Sequence, residues 1–330
     1  MNIVDSKSFD LITHLSTSTQ LPRQQIELII NKAPVTYILY KIPKKNGGTR
    51  YLYQPAIQTK MLQYIIMSTV FAEFKLSQVV YSYVKGLKSP LKKHAKLHAP
   101  YSYSIHLDFS NFFPSITADM FFKALEKEYG KSFSSDNQEV VKKVCFFKKK
   151  DKFSLVIGSP SSPIISNIFM TTADKHFRQY AEANDGKYSR YADDLWFSSN
   201  DIRSCIAFRA VVESFISSIS YYNGLRLNHA KTTILHNRAP RKITGLNVWK
   251  RANHVTVPRS IKRITRSLIY KLAQVEKKQR LMDPDEANAM RKRLRGYINF
   301  IKDNEPSYLN SLIKKYHNDY HIALGYRRSG

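Results

Sequence analysis

Two adjacent aspartates, Asp193 and Asp194, interrupt the run Arg190-Tyr191-Ala192-Asp193-Asp194-Leu195-Trp196-Phe197, and this interruption constrains the fold more than any other feature of the chain. In a β-strand, successive side chains point to opposite faces, so neighbouring carboxylates can serve one site only from a tight turn. The pattern predicts a hairpin over 187–198 with the pair at its tip. Taken alone, the two aspartates would also suit a solvated turn. The flanks carry more weight: Tyr191, Leu195, Trp196 and Phe197 predict buried strand, and buried strand ending in two charges is costly without a cation. A third carboxylate, Asp108, closes another apolar strand, predicted over 102–109. Carboxylates from two neighbouring strands can hold two Mg²⁺ ions roughly 3.5–4 Å apart, activating an attacking hydroxyl and stabilising the leaving oxygen of an in-line phosphoryl transfer. Mg²⁺ takes few carboxylates and leaves room for substrate phosphates, which suits so sparse a ligand set.

Charge narrows the partner. Lys and Arg number 53 against 25 Asp and Glu, a net charge of +28. Such an excess repels itself in a folded chain unless a polyanion relieves it, and nucleic acid is the obvious polyanion. A histone-like protein would share the charge but would rarely carry 21 Tyr, 18 Phe and 2 Trp, so the basic charge is expected on a well-filled core. No run approaches the roughly 20 apolar residues of a membrane span. The N-terminal residues carry acids and no long apolar run, so no secretory signal and no membrane are expected, and the cytoplasm is the expected location. Cys145 and Cys205 form no CxxC pair and are expected to be reduced thiols.

The chain predicts a mixed α+β part followed by a basic helical module. Residues 37–41 and 50–53 predict two strands joined through Pro43-Lys44-Lys45-Asn46-Gly47-Gly48, where Asn-Gly is a hairpin signal. Helices are predicted over 59–76, from a Thr117 cap to about 129, over 162–183 and over 201–222; Ser16 to Ser18 offer N-caps in the first forty residues. Short strands are predicted over 232–235, 243–248 and 255–257. Helix dominates from Pro258, broken at Pro284 and Pro306. The expected division is 1–250 and 251–330.

Several segments together resemble one family. Tyr191-Ala192-Asp193-Asp194 looks like the YxDD box of reverse transcriptases. LDFSNFFPSI (107–116) is similar to their first catalytic motif, and GSPSSPIISNIFM (158–170) to the motif that cradles template and nucleotide. RYLYQP (50–55), LRLNHAKTTIL (225–235) and ITGLNV (243–248) resemble the fingers motif, the motif after the YxDD box and the start of the primer grip. One box is weakly specific; several in order are strong. The resemblance implies a right-hand polymerase fold, with fingers and palm over 1–250 and a helical, RNA-binding thumb over 251–330. It implies that Asp108, Asp193 and Asp194 bind two Mg²⁺ ions, helped by the carbonyl of Phe109. Phe113 would be the steric gate that selects dNTPs, against a second reading as a core aromatic beside Phe112. Arg50 and Lys44 or Lys45 would contact the triphosphate, Lys231 would protonate the pyrophosphate leaving group, and Gly158 and Ser159 would let backbone approach template and nucleotide. Many members have Gln before that glycine; here it is Ile157, which cannot make the amide's hydrogen bonds.

Within the family the chain resembles the single-protein bacterial enzymes of retrons. His94-Ala95-Lys96-Leu97-His98 partly matches their Asn-Ala-x-x-His element, and Ile243-Thr244-Gly245 their Val-Thr-Gly element. His94 and His98 are four apart on an expected helix; no third metal ligand is in view, and RNA contact or helix capping is the expectation. Thr244, Gly245 and the basic Arg291, Arg293 and Arg295 are expected RNA contacts. The resemblance implies a cognate structured non-coding RNA, priming from a guanosine 2′-hydroxyl, a branched RNA–DNA product (msDNA), and a separate effector protein in antiphage defence. The alternatives are a group II intron-like or other bacterial reverse transcriptase, and an RNA-binding scaffold or antitoxin component with little polymerase output.

Overall fold

The computed structural model describes residues 9–44, 47–236, 238, 241–249, 254–277, 279 and 281–325. Helices α1 (Leu11–Thr19) and α2 (Arg23–Lys32) precede the strands β1 (Tyr37–Pro43) and β2 (Thr49–Pro55). Helices α3 (Ile57–Thr69) and α4 (Pro90–Leu97) lead to β3 (Tyr103–Asp108), then α5 (Phe112–Ser115), α6 (Ala118–Tyr129) and α7 (Ser135–Cys145). The small pair β4 (Phe147–Lys149) and β5 (Lys152–Ser154) is followed by α8 (Ser161–Phe169) and α9 (Thr171–Ala183). Next come β6 (Lys187–Tyr191), β7 (Asp194–Ser199), α10 (Ile202–Ser218), β8 (Thr233–His236), β9 (Arg241–Ile243), β10 (Leu246–Trp249) and β11 (His254–Thr256). The chain continues in α11 (Arg259–Glu276), α12 (Pro284–Asn304), α13 (Pro306–Lys315) and α14 (His317–Ala323).

Local chemistry accounts for many boundaries. Thr117 caps α6 by accepting from the Met120 N–H at 3.2 Å, and Gly130, at φ 60°, ends it. Pro284 and Pro306 occupy the first positions of α12 and α13, where a missing N–H costs nothing. Three expectations are corrected. Asp10, not Ser16 to Ser18, caps α1, accepting from the N–H groups of Ile12 and Thr13 at 2.9 and 3.3 Å. The single helix expected over 162–183 is two, because Met170 takes ψ 0°; with that break, Asn167 and Asp174 both reach Arg190. The strand expected over 243–248 is a tight hairpin: Ile243 pairs with Leu246 around Thr244 and Gly245, at φ 45° and 83°. Helix α7 and the β4–β5 pair were not anticipated.

The described residues fall into two compact units that are not contiguous in sequence. One draws on 1–83, 105–197 and 201–234, the other on 84–104, 198–200 and 235–330, so the division differs from a single cut near 250. The first has an aromatic core in which Phe177, Phe197 and Phe208 are fully buried, with ring centroids 5.0 Å (Phe197–Phe208) and 5.8 Å (Phe177–Phe208) apart. Deleting one such ring costs about 3–5 kcal/mol. In the second, β11-β10-β9 form a three-stranded sheet, α4 packs on β10, and α11 packs on α12 and α14. The strand order β6-β7-β3-β8 puts β7 beside β3, so the strand ends bearing Asp194 and Asp108 are neighbours. Among the described residues no helix is long and apolar enough to cross a membrane.

Candidate active site

The turn between β6 and β7 consists of Ala192 and Asp193, and Ala192 adopts φ 57°. Glycine usually occupies such a position because a Cβ is strained there. The turn meets the end of β3 directly: the Phe109 N–H donates to the Asp193 carbonyl at 3.3 Å. Asp108 is 1% exposed, and its backbone carbonyl accepts from the Asn228 N–H at 2.7 Å. Three carboxylates therefore converge from two adjacent strands. Burial pushes Asp193 up to about 6, reinforced by the charge of Asp194 and, more weakly, of Asp108, while Lys231 opposes the shift.

Two cationic or donor groups occupy the cluster. Lys231 Nζ lies 2.6 and 2.8 Å from the two oxygens of Asp108. The lysine side chain is 60% exposed, so it can leave without unpacking anything. His106 Nε2 lies 2.5 Å from Asp194 Oδ1, and its ring stacks on Trp196 at 4.5 Å. His106 is two positions from Asp108, so strand alternation puts both on one face. Among the described residues no group of three or more His, Cys, Asp or Glu side chains is already arranged to hold a metal ion. The donor chemistry nevertheless fits a hard divalent cation: all three groups are carboxylates, they repel one another, and an ammonium already sits on one of them. A metal would take over the oxygens that Lys231 and His106 hold.

The other expected residues of this unit are distributed as follows. Phe112 is buried and stacked on Phe109, whereas Phe113 is only half-buried, so the adjacent rings differ in their access to solvent. Lys44 and Arg50 are exposed at the ends of β1 and β2, and Lys45 lies outside the described residues. Lys231 rests on Asp108 rather than standing free. The space a side chain at Gly158 would need is filled by the protein's own strand β2. At φ 107°, a Cβ there would lie 2.7 Å from the Tyr53 carbonyl oxygen and 2.9 Å from Leu52 Cδ2. The Tyr53 N–H also donates to the Ile157 carbonyl at 2.7 Å. Ser159 is turned inward, its hydroxyl donating to Gln63 Oε1 at 3.0 Å. Sequence reasoning missed His106, although its register with Asp108 was readable. It also passed over Arg190 and Asp174; an arginine inside an apolar strand demands a buried partner.

In the second unit the expected RNA contacts sort by burial. His94 and His98 are both fully buried, so neither side chain is open to an RNA, and that expectation is corrected. The reason is packing: His98 Nδ1 bonds Ser198 Oγ at 2.8 Å, and His94 Nδ1 lies 3.4 Å from Thr244 Oγ1. His98 also caps α4, its backbone N–H reaching the carbonyls of Ala95 and Lys96. The two retron-like elements thus meet, although 150 residues separate His94 from Thr244. Thr244 and Gly245 form the half-exposed turn between β9 and β10. Arg291 is ion-paired with Glu276, Arg295 donates to the Leu324 carbonyl at 3.3 Å, and the exposed Arg293 lies over the Tyr297 ring at 5.5 Å.

The family described as "Reverse transcriptase (RNA-dependent DNA polymerase)" matches residues 42–248, which contain the whole carboxylate site. The chain is therefore a reverse transcriptase, an RNA-directed DNA polymerase of the right-hand fold. The Retron Ec83 reverse transcriptase of Escherichia coli is 30% identical over 92% of this chain and 94% of its own length. The Retron Ec73 enzyme of the same organism is 29% identical over 84% and 86%, and the Retron Ec86 enzyme 30% identical over 70% and 69%. Within the family the chain belongs with the retron reverse transcriptases.

Proposed function

We propose that Asp108, Asp193 and Asp194 are the catalytic carboxylates, and that the chain copies part of a cognate structured non-coding RNA into DNA. Synthesis starts from a guanosine 2′-hydroxyl of that RNA and yields a branched RNA–DNA molecule. The observation that carries the reading is the convergence of three carboxylates, with the Phe109 N–H bonded to the Asp193 carbonyl at 3.3 Å. Two Mg²⁺ ions, when bound, supply the Lewis acidity that lowers the pKa of the attacking hydroxyl and neutralises charge on the phosphates. The protein's own groups do the rest. The three carboxylates and the Phe109 carbonyl would hold the cations. Lys231, once displaced from Asp108, gives a proton to the departing pyrophosphate. Phe113 closes the pocket against a ribose 2′-hydroxyl, and Lys44 and Arg50 steady the triphosphate. Thr244, Gly245 and the basic helices α11 and α12 grip the RNA by its phosphates, with Arg293 and Tyr297 offering a stacking surface. The buried contact of His94 with Thr244 supports the retron branch, because it joins the two elements that resemble that branch. A separate effector protein and a role in antiphage defence complete the proposal.

The test is to purify the protein from its native locus and treat the bound nucleic acid with RNase and DNase. The expected result is a small DNA joined to RNA that separates only after a 2′–5′ debranching enzyme acts. RNA alone, with activity on a supplied primer and template, would overturn the retron priming reaction. Polymerisation that survives Asp193→Asn would overturn the carboxylate assignment.

A further inference from the structure

Behind the catalytic turn lies a closed ring of buried polar groups that the chemistry above does not use. Arg190 is fully buried, and so is its partner Asp174. The guanidinium grips that carboxylate with two bonds, Nε to Oδ1 and Nη2 to Oδ2, both 2.8 Å. Its remaining nitrogen, Nη1, donates to Asn167 Oδ1 and to the Ala192 carbonyl, each at 3.1 Å. Asn167 Nδ2 donates in turn to the Ser82 carbonyl at 3.0 Å, and the Ala192 N–H donates to Ser82 Oγ at 2.7 Å. Both backbone groups of Ala192 are therefore held from beneath. This is the residue in the left-handed conformation, immediately before Asp193.

A buried ion pair is weak evidence for stability, because desolvation offsets most of the attraction and an apolar pair of similar volume often does as well. A non-glycine residue at positive φ persists only where its surroundings over-determine it. We propose that Arg190 is a positioning residue for catalysis. Asp174 and Asn167 orient its guanidinium, and the guanidinium, with Ser82, holds the Ala192 turn so that Asp193 and Asp194 face Asp108. The ring draws on α8, α9, β6 and the segment before Tyr83, so the helix following the Gly158 turn and the catalytic hairpin move as one body. The inference rests on Asp193 and Asp194 being the catalytic carboxylates.

The test is the paired change Asp174→Asn with Arg190→Met in the full chain with its RNA. It removes both charges and the grip on Ala192 while nearly keeping the volume, and the new amide oxygen can still accept from the Tyr188 hydroxyl, which bonds Asp174 at 2.9 Å. The expected result is a folded variant whose melting temperature falls by about 5–10 °C, because Asn167 Oδ1 and the Ala192 carbonyl lose their donor, with an unchanged KM for dNTP and a kcat lower by about 100-fold, the cost of a small misplacement of reacting groups. The stabilisation by added Mg²⁺, read as a melting shift, should also shrink. A wild-type kcat in a folded double variant overturns the proposal, since the ring would then only fill space. If the double variant does not fold, Ser82→Ala decides. It removes one small acceptor from the buried Ala192 N–H, so it should lower the melting temperature by about 2–6 °C and kcat about tenfold or more; no change in kcat overturns the proposal. Asp193→Asn, run alongside, keeps the two readings apart: activity in that variant defeats the catalytic assignment, not the ring.

Discussion

Replacing Asp193 by Asn should stabilise the metal-free protein while abolishing polymerisation. The magnitude follows from the carboxyl's environment. Burial, the charge of Asp194 and that of Asp108 push Asp193 from its ordinary 3.8 up to about 6. Each pKa unit corresponds to about 1.4 kcal/mol, so ionised Asp193 costs the native state about 3 kcal/mol. The folded pKa lies above the unfolded one. Below 3.8 both states are protonated and the penalty is absent; it grows as pH rises between 3.8 and about 6, and it is complete above. Asparagine keeps the shape and carries no charge. In EDTA at pH 8 the variant should melt about 5–10 °C above wild type, and at pH 4 the difference should nearly vanish. Mg²⁺ should raise the wild-type melting temperature and leave the variant's almost unmoved, because a ligand stabilises only the state that binds it. The assay is thermal unfolding followed by circular dichroism, with primer extension in parallel. An Asn variant that melts at or below wild type in EDTA at pH 8 would refute the claim that burial, reinforced by like-charge crowding, strains this site.

Three further outcomes follow from the same geometry. Gly158→Ala should lose about 2–4 kcal/mol in urea unfolding, because it combines a left-handed backbone with overlap on the Tyr53 carbonyl; an unchanged urea midpoint would refute the close approach of β2. Glu305 accepts from the Val257 N–H at 2.8 Å and pairs with Lys262 at 2.6 Å, both side chains being mostly buried, so Glu305→Ala should destabilise by about 2–3 kcal/mol by chemical denaturation. Burial, then the charges of His94 and Arg241, hold His98 well below its usual range. Its folded pKa lies below the unfolded one, so stability should fall as pH drops below about 6.5, by up to about 1.4 kcal/mol per unit, and His98→Gln should flatten that slope in urea titrations at pH 7 and 5.5.

The amino-acid sequence by itself determined the parts whose physics is local. Thr117, Pro284 and Pro306 mark helix starts that the local sequence could show, because capping and a fixed φ act within one turn of chain. The Asp193-Asp194 hairpin was readable for the same reason: strand alternation leaves adjacent carboxylates no other way to share a site. The order of the motifs was enough to identify the polymerase. Local pattern also misled. After Pro163, in the first turn, the 162–183 stretch carries no breaker, yet the helix divides at Met170, where Asn167 and Asp174 turn to one buried guanidinium. Thr244 reads as an ordinary strand residue and instead sits at φ 45° in a two-residue turn.

Tertiary structure alone decided which groups meet. Lys231 lies on Asp108 from 123 residues away, Ser82 holds Ala192 from 110, and His106 engages Asp194 from 88. Tertiary packing also buried His94 and His98, which on a helix face could equally have met RNA. No local period encodes such pairings. They are chosen when the whole core closes, because a polar group shut away from water must find its partner among whatever the fold brings near.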